Sequence, residues 1–404
     1  MPRRAPHFGV ATRSRRAQSH KLAPELPCKA GVKIVIAPDS FKGSISAPQA
    51  CAAMEAGARR ACPNAEIVSI PLADGGEGTF DALMQSANGK TKTALVRNPN
   101  GQLIKAQWGF LPDGRAVIET ARAAGLGLVE PAKRDAMTAS THGVGQLINA
   151  ALKAGCRQFL IGLGGSATTD GGAGALTALG ARFRDQNEVI LRPGGAALAN
   201  LATIDLNLLH NRAEKMSFTL LCDVENPLCG PNGAARVYAP QKGASPVEVE
   251  VLDAALSHFA ALSAEKLGRD FSLEPGAGAA GGLAFGLMAY RGAKVRSGIE
   301  EVLEATDFAA KLRGADLVLT GEGALDAQTL SGKVIAGVCR AAREQNVPVW
   351  ALAGKVVLSE SQLEELGVQN AISICPAPRE LSFCLDNAAL LLEETTERAL
   401  SEWR

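Results

Sequence analysis

Three short loops in this chain combine carboxylates, glycines and lysines: Asp39-Ser40-Phe41-Lys42-Gly43, Asp74-Gly75-Gly76-Glu77-Gly78, and Gly321-Glu322-Gly323-Ala324-Leu325-Asp326, which runs on through Thr329 to Ser331-Gly332-Lys333. Each follows a short run of β-branched and apolar residues and precedes a stretch with helical spacing. Loops of that kind gather at the carboxyl ends of parallel strands, where open α/β sheets bind ligands. Clustered carboxylates suit hydroxyl or metal-water contacts, whereas lysines and helix N-termini suit phosphate. Phosphoryl transfer is the chemistry this inventory predicts, because it depends mainly on positioning and charge neutralisation.

Two more strand ends add Gly164-Gly165-Ser166-Ala167-Thr168-Thr169-Asp170 and Asp223. Any one of these loops alone reads equally well as a cap or turn, since Asp and Gly fill those places routinely. Their recurrence is what argues for a site. Ser331-Gly332-Lys333 opens a helix but is not a Walker A sequence, because valine follows the lysine; an anion site and a simple cap both fit. Gly276-Ala277-Gly278-Ala279-Ala280-Gly281 matches the dinucleotide fingerprint in letters only, with no strand before it and no acid at the required distance after it. G-x-S-x-G is absent, and His142 reads as a first-turn helix residue rather than a base.

The elements that would carry these loops follow from periodicity. A strand at 33–39 leads to a helix opened by Ser46-Ala47-Pro48-Gln49, a capping-box spacing, whose small face Ala50, Ala53, Met54 and Gly57 can lie close to a sheet. A strand at 66–72 leads to Asp74 and a helix bearing Phe80, Leu83 and Met84. From 91 the rhythm turns antiparallel, with strands at 93–96, 106–110 and 116–119 separated by Asn98-Pro99-Asn100-Gly101 and Pro112-Asp113-Gly114. A helix at 141–154 feeds a strand at 158–163, another strand spans 217–222, and 246–267 is helical. The βα rhythm returns at 297, with one helix to 312, strands at 316–319, 347–352 and 371–374, and a final helix. The expected fold is α/β: a split parallel-sheet domain formed by 32–92 and 291–404, interrupted by an α+β domain at 93–290.

Composition narrows the function. The 404 residues are 47% hydrophobic, with 42 basic and 41 acidic side chains, so a net charge of +1 gives no reason to expect nucleic acid or a membrane surface as partner. No run reaches the roughly eighteen apolar residues of a membrane helix. Nine scattered cysteines suggest neither a disulfide framework nor a zinc site and fit a cytoplasmic setting. Residues 1–31 carry Arg3, Arg4, Arg13, Arg15, Arg16, Lys21 and Lys29 against Glu25 alone. They are expected to be a disordered or untranslated extension, with a targeting leader as the alternative.

Taken together, the stretches at 37–44, 73–79, 164–172 and 222–228, with Thr320-Gly321-Glu322-Gly323, Asp326, Thr329, Gly332 and Lys333, resemble the bacterial type 1 glycerate kinases in order and register from Val32 to about Trp350. Ile45 stands where leucine is common in that family. The resemblance implies a flavodoxin-like domain with an inserted second domain, and ATP- and Mg²⁺-dependent phosphorylation of D-glycerate at its 2-hydroxyl in glyoxylate, glycolate or sugar-acid breakdown. On that basis Lys42, Asp223 and Asp326 are assigned to catalysis, with either aspartate orienting or deprotonating the hydroxyl. Asp39, Ser40, Asp74, Gly75, Gly76, Glu77, Gly164, Gly165, Ser166, Thr168, Thr169, Asp170, Gly321, Glu322, Thr329, Gly332 and Lys333 are assigned to substrate or nucleotide, and Asp39 and Asp74 to the metal. Competing readings are a kinase for another small hydroxy acid, a non-catalytic sugar-acid-binding protein, and an NAD-linked dehydrogenase.

Overall fold

In the computed structural model of the chain, residues 31–403 are described, apart from 77, 210–215, 328, 332, 333 and 377–379. The expectations for residues 1–30 and for Glu77, Gly332 and Lys333 therefore lie outside the described residues. One sheet contains β1 (Lys33–Ile36), β2 (Glu66–Ser69), β11 (Leu317–Leu325), β12 (Val349–Val356) and β13 (Asn370–Ser373), in the order β13-β12-β11-β1-β2 and parallel throughout. Counted along the chain, that is the 2-1-3-4-5 order of flavodoxin-like sheets, whose ligand crevice opens where the order reverses. Here the reversal lies between β1 and β11, the strands that end in Asp39 and in Gly321-Glu322.

The other large sheet contains β3 (Lys90–Arg97), β4 (Leu103–Phe110), β5 (Ala116–Glu119), β6 (Gln158–Gly162), β9 (Ser217–Leu221) and β10 (Lys294–Arg296), ordered β10-β9-β6-β5-β4-β3. Its first three strands form an antiparallel meander, as the turn residues predict, and β5, β6, β9 and β10 run parallel. A two-stranded pair, β7 (Arg182–Arg184) with β8 (Thr203–Asp205), completes the strands among the described residues and was not anticipated from sequence. Sheet membership changes between Ser69 and Lys90 and changes back between Arg296 and Leu317.

The helices explain how two sheets share a site. Ala47–Ala61 begins as its capping spacing predicts, with the Gln49 side chain accepting the Ser46 N–H at 2.9 Å. Its small face meets the last helix, Ala388–Ser401, as well as the sheet: a Cβ on Gly57 would sit 2.2 Å from the Glu393 carbonyl oxygen. On the opposite face of that sheet, Thr79–Ser86 and Gly298–Ala305 lie in one apolar layer that joins Val35, Leu72 and Val318 to Val117, Leu160 and Leu221 of the second sheet. The single helix expected from 297 to 312 is two, Gly298–Ala305 and Phe308–Leu312, because Asp307 adopts a left-handed conformation that aspartate tolerates better than most residues. Cys375 and Cys384 form a disulfide, which the scattered cysteines did not suggest; six other cysteines among the described residues are free.

Candidate active site

Beyond β1 the backbone ladder continues, with Ala37 N–H donating to Leu319 O at 2.7 Å and Asp39 N–H to Gly321 O at 2.8 Å. Asp39 is thereby fixed beside Glu322 at the sheet's reversal point. Its carboxylate is buried and accepts the Ser40 N–H at 2.6 Å. Burial, then the charges of Asp74 and Glu322, raise its pKa to about 7, against the pull of the Ser40 N–H and Lys42. Lys42 is exposed on a tight turn closed by the Phe41–Ile45 bridge. Glu322 accepts the Thr329 hydroxyl at 2.6 Å, and the same oxygen of Thr329 accepts the Asp326 N–H at 3.1 Å. Thr329, fully buried, is therefore a clip that shapes the β11 loop.

The Asp74 loop joins the two sheets. Asp74 Oδ1 accepts the Gly76 N–H at 3.0 Å, which tightens the turn. Gly75 has φ +90°, and a Cβ there would lie 2.9 Å from Leu221 O at the end of β9; a Cβ on Gly298 would lie 2.3 Å from Asp74 O and from Gly75 N. Only glycine fits either place. Gly78 N–H donates at 2.8 Å to the buried Glu119 at the end of β5, whose other oxygen takes Arg122 Nε at 2.9 Å. A loop that leaves the first sheet is thus docked onto the carboxyl ends of the second.

Asp223, just past β9, completes the group. Gly298 N–H donates to its Oδ1 at 3.1 Å, and its Oδ2 is buried without a hydrogen-bond partner among the described residues. Burial first, then the neighbouring charges of Asp74 and Glu300, raise its pKa to about 6, while Ser297 and the Gly298 N–H oppose the rise. Asp39, Asp74 and Asp223, from strand ends far apart in sequence, consequently share one electrostatic neighbourhood with Asp74 in the middle.

The Gly164-to-Asp170 loop lies beyond β6, whose last residue, Gly162, packs beneath Gly75 O. Leu126 N–H to Gly165 O at 2.9 Å and Ala167 N–H to Ala124 O at 2.8 Å hold it. The Asp170 carboxylate is fully buried and accepts from Thr141 N–H at 2.8 Å, the Thr141 hydroxyl, Gly172 N–H at 3.1 Å and Gly174 N–H at 3.2 Å. With its lone pairs committed, the Asp170 carboxylate shapes the loop from within. Thr168 and Thr169 are also fully buried, their hydroxyls unpartnered. The Gly276-to-Gly281 run is explained here: a Cβ on Gly281 would lie 1.9 Å from Thr168 O, so glycine lets two backbones touch.

Lys242 escaped the sequence reading. It sits in Pro240-Gln241-Lys242-Gly243, which reads as a surface turn, yet it is 2% exposed and its ammonium donates to Ser166 Oγ at 3.1 Å and Thr168 O at 2.6 Å. Burial pushes its pKa down to about 7, with Asp170 opposing. Only tertiary packing reveals it.

Among the described residues no group of three or more His, Cys, Asp and Glu side chains is arranged to hold a metal ion. Asp39 and Asp74 nevertheless suit Mg²⁺, which takes one or two carboxylates together with substrate phosphates and water, and whose charge would offset the burial and the neighbouring Asp74 charge that raise Asp39.

A family profile described as "Glycerate kinase family" matches residues 34–404. The chain is 45% identical over 365 residues to glycerate kinase of Bacillus subtilis (strain 168), covering 90% of this chain and 96% of that protein. It is 43% identical over 344 residues to glycerate 2-kinase of Escherichia coli (strain K12), covering 85% and 90%. A crystal structure of a Salmonella typhimurium LT2 protein assigned as a glycerate kinase 2 superposes with a TM-score of 0.80 at 42% identity, over 92% of this chain and 98% of that one. With a matched profile spanning nearly all of the fold and relatives alike over most of their length, the chain belongs to the glycerate kinase family and is a kinase.

Proposed function

We propose that this kinase transfers the γ-phosphoryl group of ATP to the 2-hydroxyl of D-glycerate, giving 2-phospho-D-glycerate and ADP, within glyoxylate, glycolate or sugar-acid breakdown. The observation that carries the reading is the Asp39, Asp74 and Asp223 cluster, assembled from the carboxyl ends of both sheets with Lys42 at its edge. The 2-position draws support from the similarity to the E. coli glycerate 2-kinase.

In this reading the acceptor oxygen attacks the γ-phosphorus, the bond to the β,γ-bridging oxygen breaks, ADP leaves, and the hydroxyl proton passes to a carboxylate. Asp223 is assigned as that carboxylate in preference to Asp326, because its Oδ2 is buried and unpartnered while its Oδ1 is anchored by Gly298. Lys42 neutralises substrate anion, a role shared with Lys333 in the sequence assignment. Mg²⁺ would be held by Asp39 and Asp74 and would supply charge neutralisation at the phosphates. Ser40, Gly75 and Gly76 would contribute backbone contacts on one side, and Gly164, Gly165 and Ser166 on the other. A two-domain division, read from the sequence as 32–92 plus 291–404 and 93–290, is part of the proposal; sheet membership supports the split but sets its boundaries between Ser69 and Lys90 and between Arg296 and Leu317, because β3 begins at Lys90 and β10 at Lys294 belongs to the second sheet. So is a cytoplasmic location, supported by the six free thiols.

ADP release on adding D-glycerate, compared across a panel of small hydroxy acids, tests the substrate. Asp39→Asn, Asp223→Asn and Asp326→Asn measured separately test the roles: the base loses kcat, whereas a binding residue raises KM. Preference for another hydroxy acid, or full kcat in Asp223→Asn, would overturn the corresponding part.

A further inference from the structure

We propose that Lys242 is a positioning residue for phosphoryl transfer: from beneath the Gly164-to-Thr169 loop its ammonium fixes Ser166 as a hydrogen-bond donor toward an anionic oxygen of the bound substrates. The inference rests on the reading of that loop as an anion site.

In its ammonium form lysine carries three N–H donors and no acceptor, so across 3.1 Å the Ser166 oxygen then accepts. A hydroxyl that accepts from below keeps its own hydrogen for another partner, and among the described residues Ser166 donates to no acceptor. The second bond, 2.6 Å to Thr168 O, holds the ammonium in place and fixes the loop backbone beside Ser166. Nothing in the loop's architecture needs a buried cation. Leu126, Ala124 and the Asp170 carboxylate already hold it through backbone bonds. Taking an ammonium to 2% exposure without a carboxylate in salt-bridge contact among the described residues costs stability, as the lowered pKa of Lys242 reflects. Two unpartnered threonine hydroxyls in the same loop, at 0% exposure, mark the same region as built for something other than packing.

The test uses the full chain in four forms, Lys242→Met, Lys242→Arg, Ser166→Ala and the Ser166→Ala/Lys242→Met double variant, with kcat, KM, thermal midpoint and calorimetric binding of ADP. Lys242→Met is expected to lower kcat/KM roughly 10- to 100-fold, the range of a lost charge-assisted hydrogen bond. Its thermal midpoint should stay level or rise, since an uncharged chain replaces a desolvated one. The double variant should fall within about threefold of the weaker single, because both act through one hydroxyl. Lys242→Arg should restore part of the loss. Effects that multiply in the double variant, or a lower midpoint with wild-type kcat/KM in Lys242→Met, would overturn the proposal. ADP binding scores these variants without turnover, so a wild-type chain that fails to phosphorylate glycerate would sink the functional reading while leaving the Lys242 inference to be judged separately.

Discussion

Gly298→Ala tests the joint between the sheets. In an ordinary helix the change is mildly stabilising, by roughly 0.5–1 kcal/mol. At this position the new Cβ would stand 2.3 Å from Asp74 O and Gly75 N and 2.4 Å from Asp74 C. Carbon contacts relax near 3.5 Å, so the Asp74-Gly75 peptide or the helix start must move by about 1 Å. All the offending atoms are backbone, and no side chain can swing away. Asp223 Oδ1 is bonded to the Gly298 N–H, so the shift carries into both carboxylates at once. A displacement of about 1 Å at a phosphoryl-transfer site is worth about 100-fold in rate, or ~2.7 kcal/mol of transition-state stabilisation. Overpacking should cost about 1–3 kcal/mol of stability as well. Steady-state ADP release and urea unfolding measure the two separately. A Gly298→Ala enzyme that unfolds like wild type and keeps its kcat/KM would refute the idea that this contact sets the spacing between Asp74 and Asp223.

The other predictions concern single residues. Asp223, with a folded pKa of about 6 against 3.8 unfolded, binds more protons in the folded state between those values, so its contribution to stability is present below about pH 4 and is lost as pH rises through 6; Asp223→Asn should flatten that part of the stability profile, and wild-type kcat/KM should fall along an acid limb near pH 6. Asp170→Ala leaves the Thr141 and Gly174 donors unpaired in the core and should cost more than about 3 kcal/mol in urea unfolding, whereas a loss below about 1 kcal/mol would contradict its role as a hub. Glu119→Ala frees the Gly78 N–H and removes the Nε partner of Arg122, which keeps Asp81 and Gln107, and should lower kcat/KM by roughly tenfold, with Glu119→Gln intermediate because one acceptor survives; equal activity in all three would show that the latch is not needed.

Much of the site was legible because the acids and glycines stand at strand ends, and strand ends follow from short apolar runs. Asp39 and Asp74 each stand just past such a run. What sequence could not supply was the use of each carboxylate. Asp170 and Asp223 look alike as letters, but one is saturated by four donors, two from Thr141 and two from Gly172 and Gly174, and the other keeps a buried oxygen unpaired among the described residues. Lys242 was invisible because a Pro-Gln-Lys-Gly turn normally lies in solvent, and only the loops packed over it make it 2% exposed. Strand β10 was missed because Lys-Val-Arg is too short to show a period, and its pairing with β9 comes from tertiary contact. The break at Asp307 had no breaker residue to announce it.

Phosphorus NMR of a reaction containing ATP, Mg²⁺, D-glycerate and the full chain tests the central claim most directly. The expected spectrum gains ADP and 2-phospho-D-glycerate in equal amounts with wild type and neither with Asp223→Asn. A 3-phospho product, or undiminished turnover by Asp223→Asn, would contradict the assignment of this carboxylate cluster to transfer onto the 2-hydroxyl.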